Sequence, residues 1–352
     1  EKFSVYPDSK QNLYNTNRGF QKSKFKFLID PAIENGWVNV ELFAQNQQSV
    51  NIPVLIESRQ PNRTIFVEST DTLNAYISAP GLDTFYSRTN APLGAFTKPR
   101  TSPVYYKIID FFENSHVNCN AHLINADLVH KKMIHGLGHE FSTVSDNFLD
   151  NPDNLKLVKT IIFGAHNEYW TKSKANNIYN FLKNGGKVLF LGGNTAWRIV
   201  ERRSDLDVIY GNNLLDDGYA DFINEVLGSY YDANGYHTYA EFESTQLGTS
   251  NLKHLNKVQL PKTFGGGTDF QNCFQSIGGA SGHEMDKLLP TSHDSFNLVA
   301  TGRNGLLFED GADVVYRDFE NGGAVLNFGS VSLWHRTSDP TIKNLVDSFL
   351  RE

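Results

Sequence analysis

Only two cysteines, Cys119 and Cys273, occur in 352 residues. That is too few for a disulfide framework or a cysteine-rich zinc centre; one disulfide and two free thiols both stay open. Long apolar runs are missing too, since no window approaches the roughly 20 consecutive apolar residues that cross a bilayer. Positive charge is scarce, with 32 Lys and Arg against 39 Asp and Glu and a formal net charge of −7. That balance argues against nucleic acid or an anionic membrane as partner. No Gly-x-Ser-x-Gly elbow, His-Glu-x-x-His helix or Walker loop is present, which sets aside the chemistries those motifs carry. There is no internal repeat and no low-complexity tract. No signal peptide is visible, but a leader or upstream domain ahead of Glu1 is compatible with the sequence, so cytoplasmic and exported locations both stay open. Asn62-Arg63-Thr64 is a formal glycosylation acceptor, too short a match to decide between them.

The chain does hold an ordinary globular balance, 39% hydrophobic and 20% charged, with 25 Phe and 15 Tyr. Its length suits one large domain with an appendage, or two domains, and a sizeable core. Residues 1–60 read as a β-rich segment, sandwich-like or the remnant of a sandwich. Phe25–Ile29 and Trp37–Phe43 alternate apolar and polar residues, and Asn51–Glu57 carries Pro53, as an edge strand tolerates. Residues 59–63 read as a linker.

Beyond it, residues 61–352 read as an α/β domain with a mostly parallel sheet flanked by helices, because buried apolar strands alternate with helical patterns. The strands are Thr64–Glu68, Thr160–Gly164 and Lys187–Leu191, with a short one at Glu140–Val144. The helices are Val104–Asn114, Ala126–Ile134, Lys172–Lys183 and Ile342–Leu350, with residues 71–102 rich in loops. Residues 207–275, rich in Asn, Gly and Tyr, read as an insertion walling the site. Ala312–Arg317 and Gly323–Phe328 form a hairpin around Asn321-Gly322.

The chemistry concentrates at one strand end. Ile161-Ile162-Phe163-Gly164-Ala165-His166-Asn167-Glu168-Tyr169-Trp170 is an apolar run followed at once by an imidazole, a carboxylate and a phenol. His166 and Glu168 share a face if that loop is extended. Asn194 ends the next strand and would lie beside them. Ser281-Gly282-His283-Glu284-Met285-Asp286 is a second His-Glu step. These groups suit general acid–base work on water, metal binding by one carboxylate, and an amide holding a carbonyl oxygen. The plainer reading is that His166 and Glu168 only cap the helix starting near Thr171. A class I glutamine amidotransferase or α/β-hydrolase would need Cys or Ser at that turn. His135 and His139 read as solvent-facing, and Gly265-Gly266-Gly267 as a flexible turn.

Glu68 through Tyr76, Gly164 through Trp170, Gly192-Gly193-Asn194 with Trp197-Arg198, Gly282 through Asp286, and Gly311 through Tyr316 with Gly322 through Val325 occur in order. Over roughly residues 60–350 this pattern resembles the C-terminal region of the large subunit of N,N-dimethylformamidase and its relatives. The resemblance implies a class I glutamine amidotransferase-like, flavodoxin-like fold without the Cys nucleophile. It implies hydrolysis of a C–N bond in a small-molecule amide, with His166, Glu168, Asn194 and Glu284 at the site and Asp318 as competitor for the last role. It also implies one iron ion, held by Glu168, Tyr76 and a second Tyr, and no other cofactor. The departure is Phe96, which occupies the slot of that second Tyr; Tyr86 and Tyr105 do not align with it. The resembled amidase also carries a small subunit, and for this chain a homo-oligomer or larger assembly stays open. The alternative reading is a non-catalytic module in which Tyr210, Tyr219, Tyr230, Tyr231, Tyr236 and Tyr239 bind carbohydrate or protein.

Overall fold

A computed structural model of the chain describes residues 13–15, 20–22, 36–43, 49–58, 60–76, 93–94, 124–204, 207–213, 218–233, 239–245, 249–267, 279–292, 294–304 and 311–351. The expected strand at 25–29, the expected helix at 104–114, both cysteines and Phe96 lie outside these residues. Among the described residues no helix is long and apolar enough to cross a membrane.

A nine-stranded sheet organises the domain. In chain order its strands are β1 (Thr64–Glu68), β2 (Ser142–Ser145), β3 (Thr160–Phe163), β4 (Lys187–Phe190), β5 (Phe242–Ser244), β6 (Thr263–Phe264), β7 (Asn297–Gly302), β8 (Asp313–Asp318) and β9 (Ala324–Asn327). Across the sheet they run β6-β5-β7-β8-β9-β4-β3-β1-β2. The half from β2 to β9 is parallel throughout. The half from β9 to β6 is antiparallel throughout. This corrects the expectation of a mostly parallel sheet: the architecture is mixed α/β, with parallel pairing in only one half. Residues 207–275 supply two of the antiparallel strands, β5 and β6.

Both faces of the parallel half are covered. Side chains alternate along each strand, so Phe66, Ile162 and Leu189 enter one core and Ile65, Val67, Ile161, Phe163, Val188 and Phe190 the other. Helices α1 (Thr70–Tyr76), α2 (Ile124–Gly136), α3 (Lys172–Lys183) and α4 (Pro340–Leu350) complete the parallel half. Met133 and Ile134 of α2 and Leu345, Val346 and Phe349 of α4 pack on the first face. Ala175, Ile178, Phe181 and Leu182 of α3 pack on the second. Thr171 caps α3, its hydroxyl oxygen accepting from Lys174 N at 3.0 Å. Asp339 caps α4, accepting from the backbone of Thr341 and Ile342, and also accepts from Gly265 N at 2.9 Å, which fixes the glycine turn.

The short helix α1 falls in a stretch whose sequence reads as loop. The β8–β9 hairpin matches its sequence signal, with Gly322 at φ +87° in the turn. The N-terminal pair Gly36–Phe43 and Ser49–Ile56 is an antiparallel hairpin. It meets the sheet edge through Glu57, whose carboxylate accepts from Ser145 N at 2.6 Å, and so shields the exposed edge of β2. Tyr219 and Tyr230 pack against the core, Tyr231 against Trp197 and Tyr239 against His335.

At the end of the chain, buried Lys187 donates from Nζ to the carbonyls of Phe349 (2.9 Å) and Arg351 (2.8 Å), tying β4 to the last turn of α4. Lys187→Met should lower unfolding stability by about 1–3 kcal/mol, since charge-assisted hydrogen bonds to otherwise orphaned helix carbonyls are lost. Urea denaturation with an unchanged m value checks this.

Candidate active site

The parallel strands stand in the order second, first, third, fourth, fifth along the chain, so the order reverses between β1 and β3. In open α/β sheets the carboxyl ends of strands at such a reversal leave a crevice where ligands bind. Glu68 and Ser69 end β1 there, and Gly164 to Glu168 leave β3 there.

The loops after β3 and β4 run side by side. Leu191 N donates to Phe163 O (3.0 Å), Gly193 N to Ala165 O (3.3 Å), Ala196 N to Asn167 O (2.8 Å) and Arg198 N to Glu168 O (3.0 Å). His166 and Gly193 form a parallel bridge, so the pairing of the two strands continues past their ends. Asn167 turns away from the site and locks the loop. Its side chain accepts from the Ser69 hydroxyl and donates to Gly164 O at 3.0 Å, and its carbonyl accepts from Trp170 Nε1 at 2.7 Å. Trp170 is held among Phe163, Phe190 and Phe222. His166 and Glu168 therefore project from a rigid backbone.

A third loop, 281–286, closes the site. His283 and Glu284 are both left-handed, at φ +48° and +54°, a conformation that is unfavourable for residues with a Cβ and marks a constrained turn. Ser330 holds the loop, its hydroxyl accepting from Gly282 N (3.0 Å) and donating to Gly282 O (2.9 Å). The loop seats directly on Gly193, where a Cβ would lie 2.2 Å from Glu284 O. Asp286 binds the next residue, accepting from Asn194 N at 2.7 Å.

The result is a buried imidazole between two carboxylates. His166 Nε2 lies 2.9 Å from Glu284 Oε2 and 3.5 Å from Glu168 Oε2, and all three residues are at most 5% exposed. Burial opposes the charged imidazole, yet Glu284, then Glu168 and Asp286, outweigh it and hold its pKa above the ordinary value. Burial pushes Asp286 up to about 8, with Glu284 adding to the shift against its two backbone hydrogen bonds. Asp127, at the start of α2, is also pushed to about 8, by burial first and Glu68 second. It accepts from Ala165 N at 2.7 Å and needs Gly164, where a Cβ would lie 1.9 Å from its Oδ1.

His166, Glu168 and Glu284 thus come together. Asn194 joins them through Asp286; its side chain is buried, and its Oδ1 has no hydrogen-bond partner among the described residues. Asp318 lies beside Ala324 at the amino edge of the sheet, bound to Lys253 N at 3.1 Å, and is no competitor for the role of Glu284. Of the expected iron ligands, Tyr76 ends α1 with its side chain outside the described residues, and Tyr86, Phe96 and Tyr105 lie outside them altogether. Glu168 is the single described member, and no group of three His, Cys, Asp or Glu among the described residues forms a metal-ligand set. His135 is exposed, whereas His139 is half-buried and bonded to Asp347 at 2.8 Å. Asp127 and Asp286 were not singled out by sequence. Asp286 sits in the Ser281–Asp286 motif, but Asp127 reads only as a first-turn helix acid.

A family model described as "N,N-dimethylformamidase beta subunit-like, C-terminal" matches residues 21–339. The chain belongs to this family. The match begins well before residue 60, so it takes in the N-terminal hairpin. No curated protein matches the chain. Among solved structures, a putative ThuA-like protein from Bacteroides uniformis ATCC 8492 is similar, with 16% identity and a TM-score of 0.40 over 64% of this chain and 82% of that one. A cold-adapted β-galactosidase from Rahnella sp. R3 shares 12% identity and a TM-score of 0.41, over 65% of this chain and 27% of that one.

The two raised aspartates have a pH consequence. A carboxyl whose folded pKa lies above its unfolded value contributes full stability below about 3.8 and loses it as pH rises through about 8. Asp286→Asn removes one such group. The melting temperature of the variant relative to the parent should therefore rise between pH 5 and pH 9, as read by differential scanning fluorimetry.

Proposed function

We propose that the chain is a hydrolase of C–N bonds in small amides. The observation that carries this reading is the buried His166 imidazole set between Glu284 and Glu168 at 2.9 and 3.5 Å, placed where the strand order reverses. Family membership supports it, as does the parallel strand order 2-1-3-4-5, which is the flavodoxin-like doubly wound order with its ligand crevice at this point. On this reading the amidotransferase-like frame is kept while the strand-to-helix turn carries His-Asn-Glu in place of a thiol or hydroxyl nucleophile.

Hydrolysis then proceeds by direct attack of water. Glu168 accepts a proton from the water as its oxygen bonds to the amide carbonyl carbon. Asn194 donates its side-chain N–H to the carbonyl oxygen, which gains negative charge as the tetrahedral intermediate forms. His166, its cationic form favoured by Glu284, orients the pair and passes a proton to the nitrogen as the C–N bond breaks. The products are a carboxylic acid and an amine.

Glu168→Gln keeps the shape of the side chain and removes the base. It should reduce kcat for small N-substituted amides by about 100- to 10,000-fold with an unchanged circular dichroism spectrum. Undiminished turnover in this variant would end the reading.

A further inference from the structure

At the amino edge of the sheet, the edge opposite His166, a cleft of about 230 Å³ opens between the 3-10 turn Pro152–Leu155 and the second half of α3. It takes no part in the chemistry proposed at His166. Leu155, Val158 and Phe181, each at most 8% exposed, give it an apolar floor, and Pro152 gives it an apolar lip. The floor depends on a glycine. A Cβ at Gly186 would lie 2.2 Å from the Phe181 ring, so only glycine lets the ring settle there. Asn177 braces one wall, its Nδ2 donating to Leu149 O at 2.8 Å.

The rim is polar. Asn180 and Asn184 stand four residues apart at the end of α3, both exposed. Neither side chain makes a hydrogen bond among the described residues. Lys156 pairs with Asp153 at 2.8 Å. Lys159, which directly precedes β3, is exposed and makes no ion pair among the described residues. A helix end turns carbonyls outward, which favours a cation, but here those carbonyls are taken. Asn180 O accepts from Asn184 N (3.0 Å), Phe181 O from Gly186 N (2.9 Å) and Leu182 O from Gly185 N (3.0 Å). Lys183 O accepts from Asn321 Nδ2 at 2.9 Å. The open charge on the cleft is therefore the Lys159 ammonium, which calls for an anion. Each open asparagine offers both an N–H donor and a carbonyl acceptor, the complement of another amide. The floor calls for a branched or aromatic group, and the volume suits a small molecule.

We propose that this cleft binds a small carboxylate carrying an amide and an apolar side chain, the chemistry of an N-acyl amino acid. The carboxylate pairs with Lys159, the amide bonds to Asn180 and Asn184, and the side chain rests on Leu155, Val158 and Phe181. The site is independent of the hydrolase reading, because it shares no residue with the centre at His166.

Calorimetric titration of the purified chain with N-acetyl-L-leucine tests this. N-acetyl-L-leucinamide lacks the carboxylate and N-acetylglycine lacks the side chain. N-acetyl-L-leucine should bind saturably, and each control at least about fivefold more weakly. Lys159→Gln and Asn180→Ala alter exposed side chains, and an unchanged melting temperature shows that the fold is kept. Lys159→Gln should weaken binding roughly fivefold or more, through loss of a charged contact, and Asn180→Ala roughly threefold. N-acetyl-L-leucine is itself an amide, so the titration is repeated with Glu168→Gln, whose affinity should equal that of the parent. No saturable binding, equal binding of N-acetyl-L-leucinamide, unchanged affinity in Lys159→Gln, or lost binding in Glu168→Gln overturns the inference. Turnover plays no part in the readout, so the hydrolase reading stands or falls by its own test.

Discussion

Close approach to two glycines at the carboxyl edge of the sheet is the constraint on which the site depends. At Gly193 a Cβ would sit 2.2 Å from Glu284 O, and at Gly164 one would sit 1.9 Å from Asp127 Oδ1. Only glycine leaves these gaps open. Through the first, the 281–286 loop settles onto the end of β4 and brings Glu284 to His166. Through the second, Asp127 reaches the backbone of the β3 loop. The aromatic packing of Trp170 against Phe163 and Phe190 holds the same loop from the other side. Rigid strands thus hand their order to three loops, and the loops hand it to the side chains.

The electrostatics follow from that crowding. Glu68, Asp127, Glu168, Glu284 and Asp286 are all buried, with His166 and Lys131 as their nearby cations. Ionising every member would be expensive in so dry a place. The site resolves the conflict by holding protons on Asp127 and Asp286 up to about pH 8 and by favouring the charged form of His166. Acid–base chemistry benefits from groups poised in this way, because their proton affinities lie near the working pH. Two of these groups also pin loop backbone, so the same carboxyls serve geometry and charge.

Much of this was legible in the sequence. Strands β1, β3 and β4 and helix α3 follow from apolar periodicity and stop signals, and the pairing of His166 with Glu168 follows from their spacing of two. The parallel-antiparallel division was legible only at the β8–β9 hairpin, where Asn321-Gly322 signals an antiparallel pair; no local pattern gives the direction in which β7, β5 and β6 continue the sheet. Helix α1 escaped because seven residues carry too little periodicity. The contact between His166 and Glu284 joins residues far apart in the chain, and no local pattern encodes it; the resemblance to relatives pointed to it. Asp127 has the position of an ordinary first-turn helix acid, and only the missing Cβ at Gly164 reveals why it reaches the site.

The central claim is that Glu284 faces His166 and controls its charge. Nuclear magnetic resonance titration of the His166 ring tests it directly, with Glu284→Gln as the comparison. The account predicts an imidazole pKa above the ordinary 6.5 in the parent and a clear downward shift in the variant. An ordinary or depressed value in the parent, with no change in Glu284→Gln, would contradict it.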